Sequence, residues 1–150
     1  MSERFRLKIL AADKVFYEGE AVSVTIPVVD GSMQILAHHE PMVVATIEGL
    51  VQLRVDEKQE YPLIGVAGLG FTEIGREEVV VLVDSIERPQ DIDEARAREA
   101  LARAQEQLLQ DQSIQEYKVS KASVARAMLR LSAVGKQHHS LNPFDDSSFY

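Results

Sequence analysis

Cysteine is absent from the 150 residues. That removes disulfides, a thiolate zinc site and a cysteine nucleophile together. Long apolar runs are missing too, since none approaches the ~18 residues that a membrane-spanning helix needs. The opening stretch, Met1–Ala12, lacks the basic-then-apolar layout of a signal peptide. The expectation is a soluble protein of a cytoplasm-like compartment. Positive charge is scarce: 16 Lys and Arg stand against 24 Asp and Glu, for a net charge of -8. Nucleic acid, whose phosphates need a basic face, is excluded as a partner. The glycines of Gly65–Phe71 lead into no helix, so they read as a turn with tight sheet packing and not as a phosphate loop. No spacing supports a serine–histidine–aspartate arrangement, and the chain is read as a non-enzyme.

What is present is ordinary for a globular protein: 45% hydrophobic and 27% charged residues. The length suffices for one core, or for a small domain with an appendage. Charge is unevenly placed. Residues 1–88 carry 15 acids and 8 bases, whereas residues 89–137 carry 7 acids and 8 bases. The shift at Arg88-Pro89 is the best domain boundary in the chain.

The two halves follow different hydrophobic periods. Phe5, Leu7 and Ile9 alternate with Arg6 and Lys8. Val22, Val24 and Ile26 alternate with Ser23 and Thr25, and Val51, Leu53 and Val55 alternate with Gln52 and Arg54. Period two is the mark of half-buried strands. Val79–Val83 is continuously apolar and predicts a strand buried on both faces. Turn residues punctuate the series at Asp30-Gly31, Glu48-Gly49, Gly68, Gly70 and Gly75. About eight to ten short strands without an intervening helix predict an antiparallel β-sandwich. Beyond Pro89, Ala97, Leu101, Ala104 and Leu108 line one helical face. Asp91, with Glu94 three residues on, is the predicted N-cap. Asp111–Ser113 breaks the pattern. A second face follows at Val124, Ala127, Leu131 and Val134, with a stop at Gly135-Lys136. The predicted architecture is an all-β sandwich over 1–88, an α-helical hairpin over 89–137 and a disordered tail over 138–150. An alanine-lined seam buries little area, so the hairpin is expected to be only modestly stable in any one docked position.

Particular segments carry a resemblance. Phe5–Leu36 has a strand, a turn and then Val24-x-x-Pro27-x-x-x-Gly31 leading to Ile35-Leu36, and Ala37–Val43 is a histidine-proline loop. Gly49–Val55, Phe71–Asp84 and Ile92–Gln105 follow in order. Together these segments resemble the epsilon-subunit family of F-type rotary ATP synthases over nearly the whole length. The chain departs from the family pattern at Gln34, where glycine is usual, at Ala37-His38, where proline-glycine is usual, and at Leu69, where a second glycine is common. The resemblance implies a non-catalytic central-stalk subunit. Its partners would be the gamma subunit, the c-ring and the catalytic alpha and beta subunits. It would meet the membrane only through the complex, on the cytoplasmic face of a bacterial inner membrane. The hairpin would lie folded or extend toward the catalytic subunits, where it hinders ATP hydrolysis. A generic sandwich adaptor with a protein-binding hairpin is the competing reading.

The resemblance also implies a regulatory ATP site in the hairpin, with no cofactor otherwise required. The motif Ile/Leu-Asp-x-x-Arg-Ala stands here as Ile92–Ala97, so Asp93 and Arg96 belong to it. Glu87, Arg103, Arg126 and Arg130 match supporting positions. Arg126 and Arg130 are four residues apart and share a helix face. Guanidinium groups from two helices can clamp phosphates. The same residues also suit plain helix chemistry: Glu94 with Arg98, Glu99 with Arg103, and Asp93 at a helix start. Ser32, His38 and His39 are the residues expected at the c-ring. His38, His39 and Glu40 form no metal site by this reading, because adjacent residues point apart and nothing else converges on them. His138-His139 reads as solvated.

Overall fold

The computed structural model describes residues 3–109 and 114–141, and the chain divides into two compact units, Met1–Arg88 and Pro89–Tyr150. In the first unit the strands are β1 (Phe5–Leu10), β2 (Val15–Ala21), β3 (Ser23–Val28), β4 (Gly31–Leu36) and β5 (Met42–Thr46). They continue as β6 (Gly49–Arg54), β7 (Leu63–Ala67), β8 (Gly70–Ile74), β9 (Glu78–Val83) and β10 (Ile86–Glu87). One sheet has the order β2-β1-β9-β8-β5 and the other β10-β7-β6-β3-β4. The alternating residues read from sequence face inward. Leu7, Ile9, Val24, Ile26, Ile35, Val51, Val79 and Val81 are fully buried between the sheets. This is the two-layer solution for sheets with one apolar face each.

Two features depart from expectation. The sandwich is antiparallel except for one pair, since β1 runs parallel to β9, with Leu7 opposite Val79 and Ile9 opposite Val81. The chain between them visits the other sheet, so these two strands meet in the same direction. Strand β9 is also buried on one face only. Val79, Val81 and Val83 point inward, while Leu82 is 44% exposed. The continuous apolar run does not mark a central layer here. Its outward residues belong to an apolar face of the sheet that nothing within the unit covers.

Strands β7 to β8 and β9 to β10 pass between the sheets side by side, tied by Gly68 N–H to the Ser85 carbonyl and Asp84 N–H to the Leu69 carbonyl, both at 2.9 Å. A Cβ on Gly70 would overlap the backbone of Leu82. The Gly65–Phe71 glycines thus serve close backbone approach.

The second unit opens with a 3-10 turn, Pro89–Asp91, then α1 (Glu94–Leu108) and α2 (Ile114–Leu141). Ala97 and Ala104 of α1 and Ser120, Ala127, Ala133 and Val134 of α2 are buried. Leu101, Leu108, Val124 and Leu131 are only half-buried. Gln107, near the end of α1, meets Ser120, early in α2, so the helices run antiparallel. The expected break at Asp111–Ser113 lies outside the described residues. The stop expected at Gly135-Lys136 does not occur, because α2 continues to Leu141. A glycine ends a helix when it takes a left-handed conformation, and Gly135 does not. In the helix it costs about 1 kcal/mol relative to alanine and no more. Residues 138–141, assigned to the tail by sequence, are therefore helical. Residues 142–150 lie outside the described residues.

Candidate functional site

The start of α1 is built around a carboxylate. Asp93 is extended (φ -77, ψ 103), and its side chain accepts a hydrogen bond from the Arg96 amide at 3.2 Å. This satisfies one of the four unpaired N–H groups at a helix start. The cap is Asp93 and not Asp91. Asp91 is consumed by the preceding turn, in which the Ile92 amide donates to the Pro89 carbonyl at 3.2 Å. Glu94 consequently closes no capping box. It pairs with Arg98 at 2.6 Å, one helical turn on. The other pair expected on this helix, Glu99 with Arg103, is not formed among the described residues.

The arginines gather by position. Arg96, Arg103 and Arg126 each precede a buried alanine, Ala97, Ala104 and Ala127. One residue is about 100° around a helix, so each arginine flanks the seam. Antiparallel helices are related by a two-fold normal to their common plane, so a step toward the N-terminus on either helix leads to the same side. Arg130, four residues after Arg126, stays on that side. With Gln107 level with Ser120, Arg96 falls roughly level with Arg130, and Arg103 within about a turn of Arg126. Arg126 donates to Ser123 Oγ at 3.1 Å, and both it and Arg130 interact within the chain. Four guanidinium-bearing positions with Asp93 thus share one side of the hairpin, a donor set suited to a polyphosphate. Glu87 belongs to the sandwich unit, on edge strand β10 opposite Val66, half-buried and already partnered.

The other expected site separates. Ser32 lies at the β3–β4 tip opposite Pro27, whose carbonyl accepts from the Ile47 amide just after β5. His38 and His39 lie beyond the other end of β4, in the loop that enters β5. A six-residue strand spans about 20 Å, so Ser32 and the histidines do not form one loop surface. Gln34 is mid-strand opposite Thr25. Leu69 precedes β8 at the end away from Ile74. The departures from the family pattern are therefore scattered over the sandwich.

The histidine loop has its own geometry. His38 adopts φ 63, the one left-handed non-glycine among the described residues. For a residue with a Cβ this costs about 1–2 kcal/mol. A glycine there would adopt it freely. His38 Nε2 contacts Glu3 Oε2 at 2.7 Å, and His39 Nδ1 lies 2.9 Å from the Glu40 carbonyl. A carbonyl only accepts, so Nδ1 of His39 carries the proton. Sequence reasoning missed Arg76. It stands in the β8–β9 turn and joins His38, His39, Glu40 and Pro41 around one open cleft of ≈ 340 Å³. Only the strand pairing could have revealed it: Met42 opposite Ile74 puts the start of β5 beside that turn. No group of three or more His, Cys, Asp or Glu among the described residues could hold a metal.

Residues 4–89 match the family described as ATP synthase, Delta/Epsilon chain, beta-sandwich domain, and residues 90–135 match its long alpha-helix domain. The ATP synthase epsilon chain of Ruminiclostridium cellulolyticum is 40% identical over 133 residues, covering 89% of this chain and 97% of that one. The epsilon chain of Symbiobacterium thermophilum is 38% identical over 125 residues, covering 83% and 88%. Among solved structures, a chain of the Euglena gracilis mitochondrial ATP synthase (OSCP/F1/c-ring, rotational state 1) superposes with a TM-score of 0.68 at 17% identity. It covers 93% of this chain and 82% of that one. A chain of the Tetrahymena thermophila mitochondrial ATP synthase central stalk and c-ring gives 0.63 at 12% identity, covering 89% and 98%. At those identities the likeness is one of fold.

Proposed function

Since the chain belongs to the delta/epsilon chain family of ATP synthase, we propose that it is the non-catalytic central-stalk subunit that couples rotation of the c-ring to the catalytic head and restrains ATP hydrolysis through its hairpin. The observation that carries this reading is the pairing of two unlike units in one chain. One is a sandwich with a dense core. The other is a hairpin whose seam is largely alanine.

The sandwich supplies the fixed part. The outer face of the β5-β8-β9 layer exposes Val43 (69%), Phe71 (60%) and Leu82. Strand register sets Ala45, Phe71, Leu82 and Leu10 in one row across it. A contiguous apolar face of this kind marks a protein-interaction surface, and the gamma subunit is its proposed occupant. The loop from Ala37 to Pro41 is the proposed contact to the c-ring. Attachment to the membrane then runs through the complex on its cytoplasmic side. Among the described residues no helix is long and apolar enough to cross a membrane.

The hairpin supplies the movable part. Weak burial at its seam lets it exchange docked positions at small cost. Extended toward the alpha and beta subunits, it hinders hydrolysis. Held down, it does not. Asp93, Arg96, Arg103, Arg126 and Arg130 are proposed to hold ATP in the folded-down form. ATP at ten times its dissociation constant would favour the bound form by about 1.4 kcal/mol, or tenfold.

Calorimetric titration of ATP into the full chain, beside an Arg96→Ala, Arg126→Ala double variant, tests the switch. The expected result is saturable binding at millimolar ATP or below that the variant loses. The wild-type chain added back to synthase stripped of this subunit should lower ATP hydrolysis. No binding to the synthase and no change in hydrolysis would overturn the stalk assignment.

A further inference from the structure

The cleft at the mouth of the β5–β8 ladder is formed by segments distant in sequence. Its lining is His38, His39, Glu40, Pro41 and Arg76. The exposed Arg76 guanidinium makes no hydrogen bond or ion pair among the described residues. Elsewhere in the sandwich, Arg6 pairs with Glu18, Lys8 pairs with Glu78, Arg54 donates to the Gln59 carbonyl and Arg88 lies over the Phe16 ring; the Lys14 and Lys58 side chains are also without a partner among the described residues, but neither lines this cleft. Arg76 is held at the cleft with its planar fork of donors unused. The strained backbone at His38 and the bonds from its ring to Glu3 and from the His39 ring to the Glu40 carbonyl fix the opposite wall.

We infer that this cleft receives one carboxylate, carried by an acidic side chain of the ring-side partner, with Arg76 as its anchor. This rests on the proposed seating of the sandwich against the c-ring. An arginine fork matches a carboxylate with two parallel hydrogen bonds. The charge of the lining selects the occupant. Glu40 offsets the charge of Arg76, so a monoanion leaves the site with one negative charge in excess and a dianionic phosphate with two, which favours the singly charged group. Pro41 and the imidazole rings supply apolar walls for the stem of the incoming side chain. The chain's net charge of -8 further disfavours an anionic lipid surface.

The test uses the full chain with synthase-containing vesicles stripped of this subunit, and reads the dissociation constant for wild type, Arg76→Gln and Arg76→Lys. Arg76→Gln is expected to weaken binding by about tenfold or more, the scale of a lost charge-assisted hydrogen bond. Arg76→Lys should fall between the two, because it keeps the charge but not the fork. The thermal midpoint should not move, since Arg76 is an exposed turn residue. Unchanged affinity in Arg76→Gln, with the wild type bound, overturns the inference and leaves the stalk assignment standing. A wild type that does not bind stripped vesicles overturns the stalk assignment instead. Vesicles of phosphatidylglycerol without synthase provide the remaining arm. If they bind the wild type and not Arg76→Gln, the anion is a lipid phosphate and the carboxylate assignment fails.

Discussion

The two units bury different things. Between its sheets the sandwich encloses a cluster of fifteen buried residues, most of them Leu, Ile and Val. The hairpin unit buries four alanines, Val134 and Ser120 on its two helices, with Pro89 and Ile92 just before them. A buried leucine or isoleucine contributes about 1.5–3 kcal/mol and a methyl group well under 1. The difference is therefore one of rigidity as well as stability. Losing the sandwich core would forfeit many such terms at once, whereas parting α1 from α2 would forfeit fewer and smaller ones.

The largest test of this contrast is Leu7→Ala. Leu7 is fully buried in the sandwich, and its truncation should cost about 2–5 kcal/mol, read as a lower urea midpoint for the strand signal. A cost below ~1 kcal/mol would mean that the sandwich core is as loose as the hairpin seam. Next in size is Asp93→Ala. Loss of the cap should destabilise the hairpin by about 1 kcal/mol, and amide exchange should rise in the first turn of α1 while the sandwich strands stay protected. Loss of protection in both units together would show that they unfold as one. The smallest effect has the opposite sign. A Cβ on Gly135 meets open space, so Gly135→Ala should stabilise α2 by roughly 0.5–1 kcal/mol. Helicity that stays unchanged or falls would mean that the helix needs a weak point there.

Legibility followed the physical source of each feature. The one-faced strands at Phe5–Leu10 and Gly49–Arg54 were legible because period two is written in adjacent residues, whereas Ser23–Val28 also buries Ser23 and Pro27 on its other face. The alanine faces of α1 and α2 were legible for the same reason at period 3.6. Errors arose where a local signal was ambiguous. Asp91 and Asp93 are both adequate caps, and only the turn at Pro89 decides between them. Gly135 stops a helix only if its backbone turns left-handed, which composition does not state. The apolar run Val79–Val83 is equally compatible with one covered face or two.

The candidate site divides along the same line. Asp93, Arg96, Arg103, Arg126 and Arg130 were named from the family resemblance, and helix spacing then sets the arginines on one side of the hairpin, because a helix converts spacing directly into direction. Ser32 and His38 are near in sequence but stand at opposite ends of β4, since a strand converts sequence distance into length.

By itself the sequence determined the family, from segments in order along the chain, and the two hydrophobic periods, which depend on neighbours within a few residues. The tertiary structure alone decided the parallel β1–β9 pair, the bare outer face of β9 and the meeting of Arg76 with His38 and His39. These depend on which strands lie side by side and in what register, and no local pattern encodes a pairing between segments so far apart.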